Sequence, residues 1–357
     1  MSNRRLLVLR AGSPSGNNLI RGLKAADPSL RIIGCHHDPF DLRKSVAARN
    51  YLIPDVTRPE FTDALHRIID AERVELVIPN SDVDVLAVSR LAEGLSCRTY
   101  LPSRSAVERC RDKYELSMFL GEHGLPVPAT YPVDNAQDVD GIFHRLSSHS
   151  QLWCRSRKGS GSLAALPVEN AAQTHAWISY WEEVRGIPSG AFILSEYLPG
   201  RDLMVQCLFK RGKPLVAKAF ERLTYQTLNV SPSGVSSIAG VSKMIHEPKL
   251  IELCIKAMLA LDAEASCMFF ADLKENGDGK ACFTEINAGR FSNMPTIHDL
   301  TGRRSMCSAY IRAAFDDALE AYEPLSCMDD CYVLRDRDAL PVVLSAGELF
   351  DGFEDAR

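Results

Sequence analysis

Three groups of residues have types and spacings that could do chemistry. Asp272 lies on one apolar stretch, and Glu285 and Asn287 lie on the next, across the turn Asn276-Gly277-Asp278-Gly279. All three are oxygen ligands of the kind that hard Mg²⁺ takes while leaving coordination sites for phosphates and water. Glu285 and Asn287 are two residues apart, which puts both on one face of a strand, and Arg290 follows them. A charged strand face open to water is the other reading of any one of these residues; three together with a cation weigh against it.

The second group is Arg155-Ser156-Arg157-Lys158-Gly159-Ser160-Gly161-Ser162. Its glycines free backbone N–H groups to converge on phosphate oxygens, and Arg155, Arg157 and Lys158 supply positive charge. A solvated Gly-Ser hairpin has a similar composition. The third group is Gly12-Ser13-Pro14-Ser15-Gly16, with Asp38 about twenty residues on, where a dinucleotide fold places its ribose-binding acid. It is not Gly-x-Gly-x-x-Gly: Pro14 removes a donor and the middle glycine is missing. A nicotinamide-dependent oxidoreductase therefore stands as a rival to a turn that closes the sheet edge or touches another substrate.

Alternating elements must position these groups. Arg5–Leu9 reads as a buried strand, followed by a glycine turn and a helix from about Asn18 to Ala26. Strands are expected at Arg31–Cys35 and Glu75–Ile78, separated by a helix that opens on a Thr57-x-x-Glu60 capping box. Ser81 and Asp84 cap a further helix, and Tyr100–Pro102 ends the unit as its last strand. Strand–helix alternation predicts a parallel sheet. After it the pattern changes. Asp112 caps a helix that ends at Gly124; a helix carries Val139, Ile142, Phe143 and Leu146; and strands are expected at Gln151–Arg155 and Ala191–Tyr197. An antiparallel pair, Leu203–Phe209 with Pro214–Phe220, precedes a helix over Leu250–Leu261, and a hairpin joins Cys267–Leu273 to Lys280–Ile286. Thr224–Gly240, rich in serine and glycine, reads as a mobile stretch. Leu340–Leu344 is a strand candidate in a tail.

The 357 residues exceed what one hydrophobic core organises, and the apolar and charged fractions, 46% and 24%, are those of a globular protein. A net charge of −5 gives no basic field for nucleic acid. The apolar run Leu6–Leu9 is too short for a signal peptide or a membrane span, so a cytoplasmic protein is expected. The eleven scattered cysteines contain no Cys-x-x-Cys pair and read as buried free thiols.

Taken in order, Asp112-Lys113 with Phe119-Leu120 and Gly124–Pro128, then Arg155–Ser162, Glu196–Asp202, and Asp272 with Glu285–Phe291, resemble the ATP-grasp superfamily. The branch related to the large chain of carbamoyl phosphate synthetase is the most similar. The resemblance implies a Rossmann-like N-terminal (pre-ATP-grasp) α/β domain over residues 1–103, a two-lobed α+β ATP-grasp fold over 104–325 and a tail segment over 326–357. It implies that Lys113 and Arg155 reach the phosphates of ATP while Lys158, Gly159, Ser160, Gly161 and Ser162 close over them. Glu196, Tyr197 and Leu198 would hold adenine, Asp202 the ribose, and Asp272, Glu285 and Asn287 two Mg²⁺ ions, with Mn²⁺ an alternative. Arg290 and Arg222 would act at the reacting groups.

The sequence departs from the family pattern in places. Many members carry lysine where Arg155 stands, although the carbamoyl phosphate synthetase branch is similar in having arginine. Gly289 is an extra residue before Arg290, and Asp272 is one methylene shorter than the usual glutamate or glutamine. The implied reaction is carboxylate–amine ligation through an acyl phosphate, with release of ADP and phosphate. Amino acids or a small peptide are compatible substrates, and a homodimer stands open. The alternatives are carbamoyl phosphate synthetase-like activation of bicarbonate or carbamate and, outside enzymes, a nucleotide-binding regulatory protein. The loops Gly12–Asn17, His36–Phe40 and Asn80–Asp84, at strand C-terminal ends, are expected to face the cleft and hold the specificity.

Overall fold

The computed structural model describes residues 3–135, 137–226, 233–292, 299, 301, 304–318, 331–336, 342–345 and 347. It is a mixed α/β protein whose described residues form one parallel and two antiparallel sheets. The parallel sheet has five strands, β1 (Arg5–Leu9), β2 (Arg31–His36), β3 (Arg49–Leu52), β4 (Leu76–Ile78) and β5 (Arg98–Thr99), in the order β3-β2-β1-β4-β5. Helices α1 (Pro14–Ala26), α2 (Pro39–Arg43), α3 (Glu60–Glu72) and α4 (Asp82–Leu91) connect them. β3 was not foreseen: it is an edge strand with three of its four residues exposed, so it carries no apolar run to read.

Local chemistry corrects three sequence expectations. α1 begins at Pro14 because Ser13 accepts from the Gly16 N–H and proline is pre-shaped for the first helical turn. The capping box at Thr57 does not form: the Thr57 hydroxyl donates to Asp55, and Pro59 occupies the cap of α3 without a side-chain bond. The last strand stops at Thr99, and Tyr100 is instead buried in the seam between sheets.

A four-stranded sheet, β6 (Thr130–Val133), β7 (Leu152–Ser156), β8 (Leu166–Val168) and β9 (Phe192–Glu196), is covered by helices α7 (Asp138–Arg145) and α8 (Ala171–Arg185). The seven-stranded sheet holds β10 (Asp202–Lys210), β11 (Lys213–Tyr225), β12 (Ala239–Ile245), β13 (Met268–Glu275), β14 (Ala281–Ala288), β15 (Cys331–Leu334) and β16 (Val342–Ser345). The tail expected beyond residue 326 thus carries two strands that extend this sheet past β12.

Period-two alternation sends Leu203, Val205, Cys207 and Phe209 of β10 into a core with α5 (Arg104–Cys110), α6 (Lys113–Glu122) and α9 (Pro248–Leu261). The opposite face packs against the parallel sheet and α10 (Met306–Ala314) through Leu208, Val216 and Met268. One irregularity decides what the far end of that face presents. In the β13–β14 pairing Asp272 faces Glu285 while Leu273 faces Phe283, leaving Thr284 as a bulge. Phe283 therefore joins the α6/α9 core, while Glu285 and Asn287 line the opposite side, which strict alternation forbids.

The ten described cysteines are free and all but Cys97 are buried; Cys327 lies outside the described residues. Among the described residues no helix is long and apolar enough to cross a membrane.

Tyr100 ties the parallel sheet to the large one, its hydroxyl donating to the Phe209 carbonyl at 2.5 Å. Tyr100→Phe keeps the ring packing and removes this buried bond, so it is expected to lower unfolding free energy by about 1 kcal/mol. Chemical denaturation of the two proteins measures this.

Candidate active site

The three sheets meet around a cleft of about 620 Å³. The parallel sheet contributes Arg10, Ser13, Ser15 and Asn80–Asp82; the four-stranded sheet Arg155 and the Gly159–Leu163 loop; and the large sheet Arg222, Asp272, Glu285 and Asn287. A second space of about 400 Å³ continues from it and is lined by Trp153, Glu196, Tyr197, Leu198 and Asp202.

Each oxygen ligand anticipated from the sequence faces a cation. Asp272 accepts from Arg222 Nη2, Glu285 lies 3.6 Å from Lys113 Nζ, and Asn287 Oδ1 accepts from Arg290 Nη2 at 2.7 Å. Burial pushes the Asp272 carboxyl above the usual carboxylate range, with Glu285 adding to the shift and Arg222 opposing it. Burial likewise opposes the charge on Arg290, but Asp82, to which Arg290 Nε donates, wins and holds the guanidinium charged. Desolvation dominates at Arg155 and lowers it. Its Nη2 donates to the Thr284 carbonyl at the bulge, 2.7 Å away, while its buried Nε has no partner among the described residues.

The glycine loop is fastened at its base. Asp112 caps α6 by accepting from the Tyr114 and Glu115 N–H groups, and its carboxylate also receives Arg157 at 2.9 and 3.2 Å. Lys113, the first residue of α6, reaches the Gly159 carbonyl at 2.7 Å. Gly159, Gly161 and Ser162 all adopt positive φ, and the loop they shape lines the cleft. Lys158 is largely exposed and lies 3.7 Å from Asp112, so it sits outside the cleft lining.

At the other end, Glu196 closes β9 where the chain passes into the large sheet. Its backbone N–H donates to Ala129 O at 2.9 Å, which ties the end of β9 to the segment leading into β6. Tyr197 lies beside Trp153, their ring centroids 6.2 Å apart. Asp202 accepts from Arg222 Nη1 at 2.7 Å and from the Tyr225 hydroxyl. Arg222 therefore bridges two acids to which the family resemblance gives different tasks, Asp202 on the ribose and Asp272 on a metal ion.

Gly289, the extra residue, has φ +78°, and a Cβ there would meet Val85, Leu101 and Pro102 at 2.9–3.0 Å. It seats β14 against the parallel sheet and aims Arg290 at Asp82 and Asn287. The first glycine turn is also explained by packing: a Cβ at Gly12 would lie 1.8 Å from the Asp41 carbonyl, and Asp38 caps α2. Ser13, Ser15 and Asn80–Asp82 face the cleft as expected. His36 and His37 do not; they line a separate small pocket with Asp84 and Ile53. Sequence reading missed Arg10, which holds Asp84 at 3.1 Å from a positive φ at the end of β1, and Arg335, which enters from beyond β15. Residues 227–232 of the Thr224–Gly240 stretch lie outside the described residues.

No protein-family model matches the sequence, and no curated protein is similar to it in sequence. Solved structures are similar in fold. L-amino acid ligase from Bacillus licheniformis superposes with a TM-score of 0.71 over 93% of this chain and 79% of its own, at 12% identity. Biotin carboxylase from Campylobacter jejuni gives 0.72 over 92% and 74%, at 14% identity. N5-carboxyaminoimidazole ribonucleotide synthetase from Thermus thermophilus gives 0.67 over 92% and 82%, at 18% identity. The chain has the ATP-grasp fold. Asp272, Glu285 and Asn287 lie on one face of the large sheet, where burial makes the charge of Asp272 costly without a cation. The oxygen donor set suits a hard divalent ion, with Arg222, Lys113 and Arg290 holding the charge balance.

Asp272→Asn keeps the shape and removes that charge. MgATP is expected to raise the melting temperature of the wild type, and the Asp272→Asn variant is expected to lose most of the rise. Differential scanning fluorimetry with ATP, with and without Mg²⁺, reads it; an equal rise in both proteins contradicts the metal-ligand role.

Proposed function

We propose that the protein is an ATP-dependent ligase of EC 6.3 type that joins a carboxylate to an amine through an acyl phosphate and releases ADP and phosphate. The observation that carries this reading is the cleft in which Asp272, Glu285 and Asn287 are each faced by a cation, roofed by a glycine loop. Among proteins of similar fold, the amino acid ligase joins amino acids by its name, and a carboxylase domain was solved with MgADP and bicarbonate.

In this reading the 400 Å³ space takes adenine between Trp153, Tyr197 and Leu198, with Glu196 at its edge and Asp202 on the ribose. Lys113, Arg155 and the Gly159–Ser162 loop meet the phosphates, and Lys158 stands at the loop's outer edge. Asp272, Glu285 and Asn287 hold one or two Mg²⁺ ions, which would neutralise phosphate charge; Mn²⁺ suits the same oxygen donors. The chain's own task is alignment and charge neutralisation, on which phosphoryl transfer chiefly depends. With Asp202 and Asp272 committed to nucleotide and metal, Arg222 would be free to turn to the transferring group. Arg290 stays fixed by Asp82 and Asn287, a rigid cation beside the reacting carboxylate. Closure of the loop over the cleft keeps water from the acyl phosphate. The division at residues 103 and 325 belongs to this reading, as does a small-molecule acid and amine. A homodimer is compatible with it, as in the 2-oxoglutarate carboxylase domain, which was solved as a dimer.

Activation of bicarbonate is the second reading, favoured by the 2-oxoglutarate carboxylase domain among the similar folds, which was solved with bicarbonate. A purely regulatory nucleotide-binding role leaves the complete oxygen donor set without a purpose.

A coupled ADP-release screen of acids and amines in pairs, repeated with hydroxylamine, separates these. Ligation predicts ADP only when both substrates are present, and a hydroxamate when hydroxylamine replaces the amine. Lys113→Met is expected to lower the rate at least about a hundredfold, the scale of losing one preorganised charge from a reacting site. ADP release driven by bicarbonate alone favours the second reading, and absence of nucleotide binding removes both.

A further inference from the structure

Most cations lining the cleft already have acidic or amide partners. Arg10 holds Asp84, Lys113 faces Glu285, Arg222 bridges Asp202 and Asp272, and Arg290 is held by Asp82 and Asn287. Arg155 and Arg335 have no carboxylate partner among the described residues. Arg155 borders both spaces of the cleft, at the junction where phosphates would lie.

Arg335 is different. It lines the 620 Å³ space and not the adenine-side one, so it belongs to the half of the cleft that also contains Asn80, Asp82 and Arg290. Its backbone is anchored on both sides, its N–H donating to Gly240 O at 2.8 Å and its carbonyl accepting from Gln226 Nε2 at 2.6 Å. The half-buried guanidinium is thus carried on a fixed strand end, and its burial lowers it from the ordinary arginine value. A cation kept partly from water without a counter-charge is stabilised by an incoming anion. Its planar fork of donors matches a carboxylate bidentately.

We propose that Arg335 is the specificity-determining residue for a spectator carboxylate, so that the amine-bearing substrate is an α-amino acid whose own carboxylate docks there. This rests on the ligase reading above. A carboxylate clamped by a desolvated guanidinium is a poor nucleophile, so the group held by Arg335 is not the one phosphorylated. The same chemistry is offered by the second carboxylate of a dicarboxylic acid acting as the acid substrate.

The test compares wild type with Arg335→Met and Arg335→Lys. Calorimetry with Mg²⁺ and a non-hydrolysable ATP analogue measures binding of L-amino acids, their C-terminal amides, succinate and inorganic phosphate, and ADP release measures turnover. The wild type is expected to prefer a free amino acid over its amide at least about tenfold, the scale of a charge-assisted hydrogen bond. Arg335→Met is expected to abolish that preference with KM for ATP unchanged, and Arg335→Lys to restore part of it. A preference confined to succinate over its monoamide assigns the carboxylate to the acid substrate instead. If the binding preference exists and no acid–amine pair yields ADP, the carboxylate site stands and the ligase reading falls. If ADP release is robust and Arg335→Met leaves the KM of every substrate but ATP unchanged, the ligase reading stands and the carboxylate site falls. Tighter binding of inorganic phosphate than of any carboxylate also overturns it.

Discussion

Charge balance in a partly dehydrated cleft is the constraint on which the rest of this structure depends. Asp202, Asp272 and Glu285 are brought together on one face of the large sheet, where burial makes the negative charge of Asp272 expensive. Arg222 and Lys113 offset that cost in the state described here, and in the proposed reading a divalent ion would supply positive charge to the same carboxylates. In the proposed reading binding is coupled to rearrangement: Asp272 would hold a divalent ion in place of its bond from Arg222, and the freed guanidinium would be available to the phosphates. Arg290 is the contrast. Its tie to Asp82 comes from the parallel sheet, so its position depends on how that sheet is docked against the clamp.

That docking is a matter of packing. The apolar seam of Leu208, Val216, Met268, Phe291 and Tyr310 against β1 and α1 holds the parallel sheet in register with the large one. Gly289 allows β14 to approach closely enough for Asn287 and Asp82 to share one arginine. The bulge at Thr284 does the complementary work within the sheet, since it turns Glu285 and Asn287 to the cleft while Phe283 remains in the core. It also exposes the carbonyl that orients Arg155.

Much of this was legible in the sequence because it is encoded locally. The hairpin around Asn276–Gly279, the Ser81 and Asp112 caps, and the apolar strands of the large sheet follow from turn chemistry and period-two patterning. The residues of the cleft were legible as a set because their motifs, taken in order, resemble those of the ATP-grasp superfamily. What could not be read depends on long-range partners. β3 is a strand only because β2 pairs with it, and Thr57 fails to cap because Asp55 competes for its hydroxyl. Arg335 gave no signal: it follows a short strand in a polar tail, and only the pairing of β15 with β12 carries it to the cleft.

A crystal structure with ADP and Mn²⁺, phased on the manganese anomalous signal, tests the charge-exchange account. The account predicts an anomalous peak between Asp272, Glu285 and Asn287, with Arg222 withdrawn from Asp272. Bound ADP with Arg222 still on Asp272, and no peak at those oxygens, would contradict it.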